Sequence, residues 1–211
     1  MEETVRILCF AGDREAPQSL EHLLSDRGYE VITARSGAEG VSLLSDSGPA
    51  HVVLAGYGVH DKEGVEFLDE VRRRWPDAVR IGLSGNADAA AVASAVRGGE
   101  IFMHLPWPPD REEARSTIAS AVDRFRLVRA LRGGDEEALH LAAQKVELRD
   151  PYTEGHCERV AAYALKIASV LGIPEEAKRP LRYGSWLHDC GKIGVPGSIL
   201  TLPGKLSPQQ V

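Results

Sequence analysis

Five short apolar stretches alternate with helix-like segments in the first half of this 211-residue chain. The stretches are rich in β-branched and large side chains, which favours buried strands. We predict strands at residues 5–10, 29–34, 51–55, 79–84 and 100–104. We predict helices at residues 19–27, 37–45, 63–75 and 87–96, where apolar residues fall at helical spacing. Continuous apolar strands that alternate with helices predict an α/β fold, with a five-stranded parallel, doubly wound sheet covered on both faces.

The composition is that of a globular protein, with 43% hydrophobic and 27% charged residues. The net charge of −6 argues against nucleic-acid binding, which needs a surplus of Lys and Arg. No apolar run approaches the roughly 20 residues of a membrane span, and the N-terminus is acidic, unlike a signal peptide. We therefore expect a cytoplasmic protein without membrane insertion. Cys9, Cys157 and Cys190 have no paired spacing, so free thiols are expected.

A long helix is predicted at residues 111–131, a run without Gly or Pro. Its first half should cover the sheet. The apolar stripe of its second half, Phe125, Val128 and Leu131, either meets a second copy as a short coiled coil in a homodimer or packs on the neighbouring domain. Gly133-Gly134 predicts the end of the helix. The expected domains are residues 1–110 as the α/β core, 111–134 as final helix and connector, and 135–211 as an all-α unit.

The second half carries candidate metal ligands. His156 opens a helix with an apolar stripe that we expect to face the core, so the histidine should point inward. The stripe comprises Val160, Tyr163, Ile167 and Val170. His188, directly followed by Asp189, should also point inward from another helix. An imidazole and a carboxylate suit iron, manganese or zinc, and Lys192 supplies a cation for a phosphate.

The strand–helix pattern of residues 4–130 resembles the receiver domain of bacterial response regulators. That resemblance implies an acidic pair for magnesium, a phosphoryl-accepting Asp, a hydroxyl residue and a Lys before Pro106. The corresponding positions here are Ala11, Gly12, Gly56, Ser84 and Leu105. Only Ser84 fits, so we expect a pseudo-receiver that is not phosphorylated and holds no magnesium. Asp61, five residues beyond Gly56, is either a substitute acceptor or a solvated loop charge.

Three segments, at residues 150–160, 188–196 and 199–206, resemble the HD-GYP branch of the HD superfamily of phosphohydrolases. The resemblance implies hydrolysis of cyclic di-GMP by a centre of two or three metals, iron or manganese. His156, His188 and Asp189 would be ligands, with Asp189 bridging two metals. Lys192 would contact the phosphate. Arg159 would help neutralise the dinucleotide, with a surface ion pair as the alternative.

The chain departs from the HD-GYP pattern in several places. Tyr152 replaces a glutamate of the three-metal members, which argues against a third metal. Cys190, between His188-Asp189 and a glycine, is interpreted as a small filler, with metal ligation as the alternative. The later histidines, the final aspartate and the Gly-Tyr-Pro loop are not in the sequence, so three ligands remain, too few for a dinuclear centre.

The last residues, 207–210, form a helix-start signature that stops almost at once, which suggests a piece of a longer protein or a disrupted reading frame. We expect exposed apolar faces in residues 135–211 and no catalysis by this chain alone. Two hypotheses follow. The parent protein is a cyclic di-GMP phosphodiesterase, or the chain is a non-catalytic pseudo-receiver module for dimerisation or docking.

Overall fold

The computed structural model describes residues 4–10, 20, 22–24, 28–57, 61–85, 89–150 and 155–207. The expectations about Ala11, Gly12, Tyr152 and residues 208–210 lie outside these ranges. By its internal contacts the chain divides into two compact units, residues 1–125 and 126–211. The domain limits expected at residues 110 and 134 stay predictions.

Within the described part of the first unit, five strands form one parallel sheet. They are β1 (Arg6–Phe10), β2 (Glu30–Ala34), β3 (Val52–Gly56), β4 (Val79–Ser84) and β5 (Met103–Pro106). Their order across the sheet is β2-β1-β3-β4-β5, and each neighbouring pair is parallel. The predicted α/β fold with a parallel five-stranded sheet is confirmed.

Helices cover both faces of this sheet. They are α1 (Gly37–Asp46), α2 (Lys62–Arg74), α3 (Ala89–Arg97) and the first part of α4 (Arg111–Gly133). Side chains alternate along β1, so Ile7 joins the core on the face that Ile118 of α4 covers, and Phe10 joins the core on the face that Phe67 of α2 covers. Residues 20 and 22–24, between β1 and β2, are also helical. The sheet and the helices on its two faces thus form three layers. The carboxyl ends of the strands lie along one edge of the sheet.

The last strand begins later than the sequence predicted. The stretch 100–104 was expected to be extended, whereas β5 runs from Met103 to Pro106. Ile101 is buried in the turn that precedes the strand. Pro106 can end the strand because β5 lies at the edge of the sheet, where a missing N–H breaks no ladder.

The second unit begins within α4. Its remaining helices are α5 (Glu136–Glu147), α6 (His156–Val170), α7 (Glu175–Leu187), a 3₁₀ helix (Cys190–Gly194) and α8 (Gly197–Leu200). Leu127 and Ala130 of α4 pack against Leu139 and Ala142 of α5. Leu131, which we placed on the contact stripe, is 47% exposed. The buried positions in this part of α4 are therefore shifted by one residue from the predicted stripe.

The expected core face of α6 is wrong. Tyr163, Ile167 and Val170 are 67%, 60% and 83% exposed, whereas the buried positions of α6 carry the small residues Cys157 and Ala161, with Ala168 two turns on. Small side chains let two helices approach closely, and α6 and α7 are in contact. The apolar stripe therefore forms an exposed surface, as expected for some faces of residues 135–211.

Among the described helices, none combines the length and apolar content that a membrane span needs. The cytoplasmic location expected from the sequence stays a prediction.

Candidate metal centre

Three ligand side chains meet between α6, α7 and the 3₁₀ helix. His156 is the first residue of α6, His188 directly follows α7, and Asp189 precedes the 3₁₀ helix. One ligand atom from each residue lies within 4.8 Å of the other two. The sequence therefore predicted which residues come together. The predicted inward orientation of the two histidines is wrong. His156 is half-buried, and His188 is exposed.

The two histidines face each other through the same ring atom. His156 Nε2 lies 3.2 Å from His188 Nε2, and His188 Nε2 lies 3.6 Å from Asp189 Oδ2. The other ring nitrogen of His188, Nδ1, lies 2.8 Å from the backbone oxygen of Ser185. A carbonyl oxygen only accepts hydrogen bonds, so Nδ1 carries the proton and Nε2 of neutral His188 presents a lone pair to His156.

This arrangement fits a divalent cation. Two imidazole nitrogens that share one cation at about 2.0–2.1 Å each come to lie roughly 3 Å apart, close to the separation found here. A histidine ligand that donates its second N–H to a backbone carbonyl is typical of metal centres, because the bond fixes the ring and its tautomer. The donor set of two imidazoles and a carboxylate suits iron, manganese or zinc, and does not choose among them.

A small cleft opens beside the cluster. It is lined by the three ligand residues together with Ala143, Val146 and Trp186. Trp186 is 8% exposed, and its indole nitrogen has no hydrogen-bond partner among the described residues. The cleft thus joins an apolar wall to the ligand cluster.

Lys192 lies between two carboxylates. Its ammonium is 2.9 Å from Asp189 Oδ2 and 3.0 Å from Asp150 Oδ2. The hydrogen bond from Lys192 is the main cause that lowers the pKa of the Asp189 carboxyl. The bonds to Asp189 and Asp150 raise the pKa of the Lys192 ammonium. Asp189 therefore stays ionised beside the histidines, and Lys192 places one positive charge next to the cluster.

Two other predicted residues, Arg159 and Cys190, differ in their relation to this centre. Arg159, one turn after His156 on α6, is exposed and is not among the described residues that line the cleft. Cys190 lines the cleft and packs against the apolar cluster around Leu127 and Leu139. That packing agrees with its interpretation as a small filler.

Glu147 was not predicted from the sequence, and Asp150 had no predicted role. Glu147 is only 7% exposed, and both of its carboxylate oxygens accept hydrogen bonds from Cys157. Burial and the bond to Glu147 raise the pKa of the Cys157 thiol to about 12, so it stays a thiol. The missed signal was the position of Glu147 four residues after Ala143, on the buried stripe of α5.

The carboxyl edge of the sheet shows how the receiver-like site has changed. Gly56 ends β3, Ser84 ends β4, and Leu105 is fully buried inside β5. Ser84 Oγ lies 2.8 Å from His104 Nε2. Asp61 caps α2, where its Oδ1 accepts the backbone N–H of Gly64 at 3.2 Å. Asp61 is therefore a helix cap rather than a solvated loop charge.

No family model matches the chain. A cyclic di-GMP phosphodiesterase of Thermotoga maritima is 25% identical over 97% of this chain and 61% of its own length. The cyclic di-GMP phosphodiesterase response regulator RpfG of Xanthomonas campestris pv. campestris is 28% identical over 91% of this chain and 56% of its own length. The solved signal receiver domain of an HD domain-containing protein from Pseudomonas fluorescens Pf-5 is 26% identical, with a TM-score of 0.55, and covers 61% of this chain and 94% of that domain.

By its fold and these similarities the chain resembles signalling proteins of the response-regulator type. The chain has a receiver-like domain followed by an HD-GYP-like helical segment. It spans 61% and 56% of the lengths of the two curated relatives.

Proposed function

We propose that this chain is part of a metal-dependent phosphodiesterase that hydrolyses cyclic di-GMP, and that His156, His188 and Asp189 hold one divalent cation. The observation that carries the proposal is the ligand cluster itself, in which one ligand atom of each residue lies within 4.8 Å of the other two. His188 is also held by the bond from its Nδ1 to the Ser185 carbonyl. The two curated relatives support the substrate, since both are named as cyclic di-GMP phosphodiesterases and match more than nine tenths of the chain.

Each residue has a distinct part in this proposal. A divalent cation in the cluster would activate water and stabilise negative charge on a phosphodiester. The neutral imidazoles of His156 and His188 supply nitrogen donors, and the Asp189 carboxylate offsets part of the cation's charge. An ammonium has three N–H donors, and Lys192 uses two of them on Asp189 and Asp150, which leaves one for a phosphate oxygen. Arg159 is proposed to help attract the dinucleotide through its positive charge.

Iron or manganese is the proposed cation. The described cluster offers three side-chain ligands, fewer than two metals need. We therefore expect this chain to bind one equivalent of metal and to hydrolyse cyclic di-GMP slowly or not at all without further ligands.

Metal content and hydrolysis can be measured on the same preparations. Purified under anaerobic conditions, the chain should contain close to one equivalent of iron or manganese by mass spectrometry. The His188→Ala variant should contain almost no bound metal. His104→Ala removes a histidine of the receiver-like sheet and should keep it. Equal metal content in both variants would overturn the assignment of the cluster. Where the wild-type chain hydrolyses cyclic di-GMP at a measurable rate, an equal rate in His188→Ala would overturn the role of the cluster in the reaction.

The alternative function is a non-catalytic module for dimerisation or docking. The exposed residues Tyr163, Ile167, Val170 and Leu171 on and just after α6 favour it, because apolar side chains at one face are typical of a contact surface. A chain that binds no metal and no cyclic di-GMP, yet associates through this face, would favour the alternative.

A homodimer through α4 is also a proposal. Val128 is half-buried and Leu131 is exposed, so part of the helix surface is open to a second copy. Light scattering should show a dimer that Leu131→Glu weakens. Leu141→Glu, at a 52% exposed position of α5, serves as the matched control. A monomeric wild-type chain at high micromolar concentration would exclude this dimer.

A further inference from the structure

We propose that Glu147 is a positioning residue for His156, because its buried carboxylate caps the N-terminus of α6 from the neighbouring helix α5. The inference rests on the proposed metal site and adds to it a residue outside the ligand cluster.

Among the described residues, no local side chain caps the N-terminus of α6. The residue before His156 is Gly155, in the left-handed region at φ 68°, and it makes no side-chain capping bond. The first N–H groups of a helix have no partner inside the helix and need one from elsewhere. Since His156 is the first residue of α6, any movement of the first turn of this helix also moves the His156 imidazole.

Glu147 provides the missing partner from ten residues earlier in the chain. Its Oε1 accepts the backbone N–H of Cys157 at 2.8 Å, and its Oε2 accepts the thiol of Cys157 at 3.2 Å. Both oxygens therefore hold the residue next to His156. An ordinary N-cap is a serine, threonine or aspartate directly before the helix, and here a glutamate of another helix takes that place.

The burial of Glu147 argues that this contact is specific. A carboxylate that is 7% exposed is costly unless it is hydrogen-bonded, so its position is tied to the geometry of Cys157. Glu147 lines the same cleft as His156 and His188. It is not in the described group of ligand atoms within 4.8 Å, which holds only His156, His188 and Asp189. Its two oxygens accept hydrogen bonds from the backbone N–H and the thiol of Cys157, the residue after the ligand His156.

Each histidine is thereby fixed by a different neighbour. The Ser185 carbonyl fixes the ring of His188 through Nδ1. Glu147 fixes His156 through the first turn of its helix. Groups that orient metal ligands typically change metal affinity by 10- to 100-fold when they are removed.

The test measures metal affinity of the full chain after removal of metal by a chelator, with manganese and cobalt as the probes. Glu147→Gln keeps the length and the Oε1 acceptor, and should bind manganese within about threefold of the wild-type chain. Glu147→Asp keeps the charge but is one methylene shorter, and should weaken binding by about 10- to 100-fold, as should Glu147→Ala. The visible spectrum of the bound cobalt should change in the Asp and Ala variants and not in the Gln variant.

Leu139→Ala is the matched control for lost stability. It removes a buried side chain of the same helix, α5, away from Cys157. It should lower the melting temperature and leave manganese affinity unchanged where the chain is folded. If Glu147→Ala does not fold, the comparison of the Asp and Gln variants decides.

Wild-type affinity in both Glu147→Asp and Glu147→Ala would overturn the positioning role. Loss of metal in His188→Ala alongside that result would leave the proposed metal site intact. A wild-type chain that binds neither manganese nor cobalt would overturn the metal site and this inference together.

Discussion

The carboxylate of Asp61 occupies the space in which a side chain on Gly56 would begin, so that a Cβ atom at position 56 would overlap Asp61 Oδ2. The N-terminus of α2 also lies against this point, because a Cβ at Gly64 would overlap the carbonyl oxygen of Gly56. The end of β3 is thus filled by the cap of the following helix. The position that a receiver uses for its phosphoryl-accepting side chain holds a glycine that close packing requires.

Gly56→Ala should therefore destabilise the first unit. We expect a loss of about 1–3 kcal/mol in the free energy of unfolding, since even a methyl group overpacks this site. Gly85→Ala is the control, because a Cβ there meets no atom within 4 Å, and it should change stability by less than about 0.5 kcal/mol. Urea denaturation measures both.

A double-mutant cycle with Asp61→Ala separates the clash from other effects. Asp61→Ala alone should cost about 1 kcal/mol, because α2 loses its cap. In that background Gly56→Ala should cost clearly less than in the wild-type chain, with a coupling of about 1 kcal/mol or more. Additive effects would show that Asp61 does not fill the site.

Lys192→Gln should strengthen metal binding at the ligand cluster. Lys192 shares Asp189 Oδ2 with the ligand cluster, so its positive charge opposes a cation there. We expect manganese to bind about 2- to 10-fold more tightly by calorimetry. Lys178→Gln, which removes a lysine paired with Glu175 on α7, should have no effect. Weaker metal binding by Lys192→Gln would show that Lys192 chiefly positions Asp189.

Two leucines on α5 should differ in how much they contribute to the stability of the second unit. Leu139 is 1% exposed and packs against Leu127 and Ala130, whereas Leu141 is 52% exposed. Leu139→Ala should destabilise the second unit by about 2–4 kcal/mol, and Leu141→Ala by less than about 0.5 kcal/mol. Thermal denaturation followed by circular dichroism compares them. Similar losses in both variants would contradict the packing of α4 on α5.

Tyr57 gives a pH-dependent contribution to stability. Burial first, and then the hydrogen bond that its hydroxyl donates to Glu100, raise the pKa of Tyr57 to about 12. The folded pKa is above the ordinary value of about 10, so this contribution is complete below pH 10 and is lost as the pH rises through 12.

The comparison of Tyr57→Phe with the wild-type chain measures this contribution. At neutral pH the variant should lose about 1 kcal/mol, with a difference that shrinks between pH 10 and 12. Tyr163→Phe, at a 67% exposed position, should match the wild-type chain throughout. A difference that does not depend on pH would mean that the Tyr57 hydroxyl contributes no more than a neutral hydrogen bond.

The sequence predicted the sheet well because its apolar strands are continuous and separated by helical spacing. It misplaced β5, since a strand was not expected to end in Pro106, and only the edge position of β5 explains why it does. It also reversed the faces of α6. Apolar spacing identifies a stripe, but which stripe is buried depends on the neighbouring helix, and α7 packs on the small residues Cys157 and Ala161.

The candidate site was predicted in part. His156, His188 and Asp189 were identified by residue type and order, and they do come together. Glu147 was missed because a contact across ten residues and two helices leaves little local pattern. The bond of Lys192 to Asp150 was missed for the same reason, because 42 residues separate the two.

The helices that carry the two histidines reach the cluster by opposite ends, and this has an electrostatic consequence. The aligned peptide dipoles of a helix amount to roughly half a negative charge at its last carbonyls and half a positive charge at its first N–H groups. α7 presents its negative end at Ser185 and His188, and α6 presents its positive end at His156, where the Glu147 carboxylate offsets it. The backbone itself therefore adds to the attraction of a cation at His188, whereas at His156 the Oε1 acceptor of Glu147 engages an N–H group that carries part of the opposing positive charge.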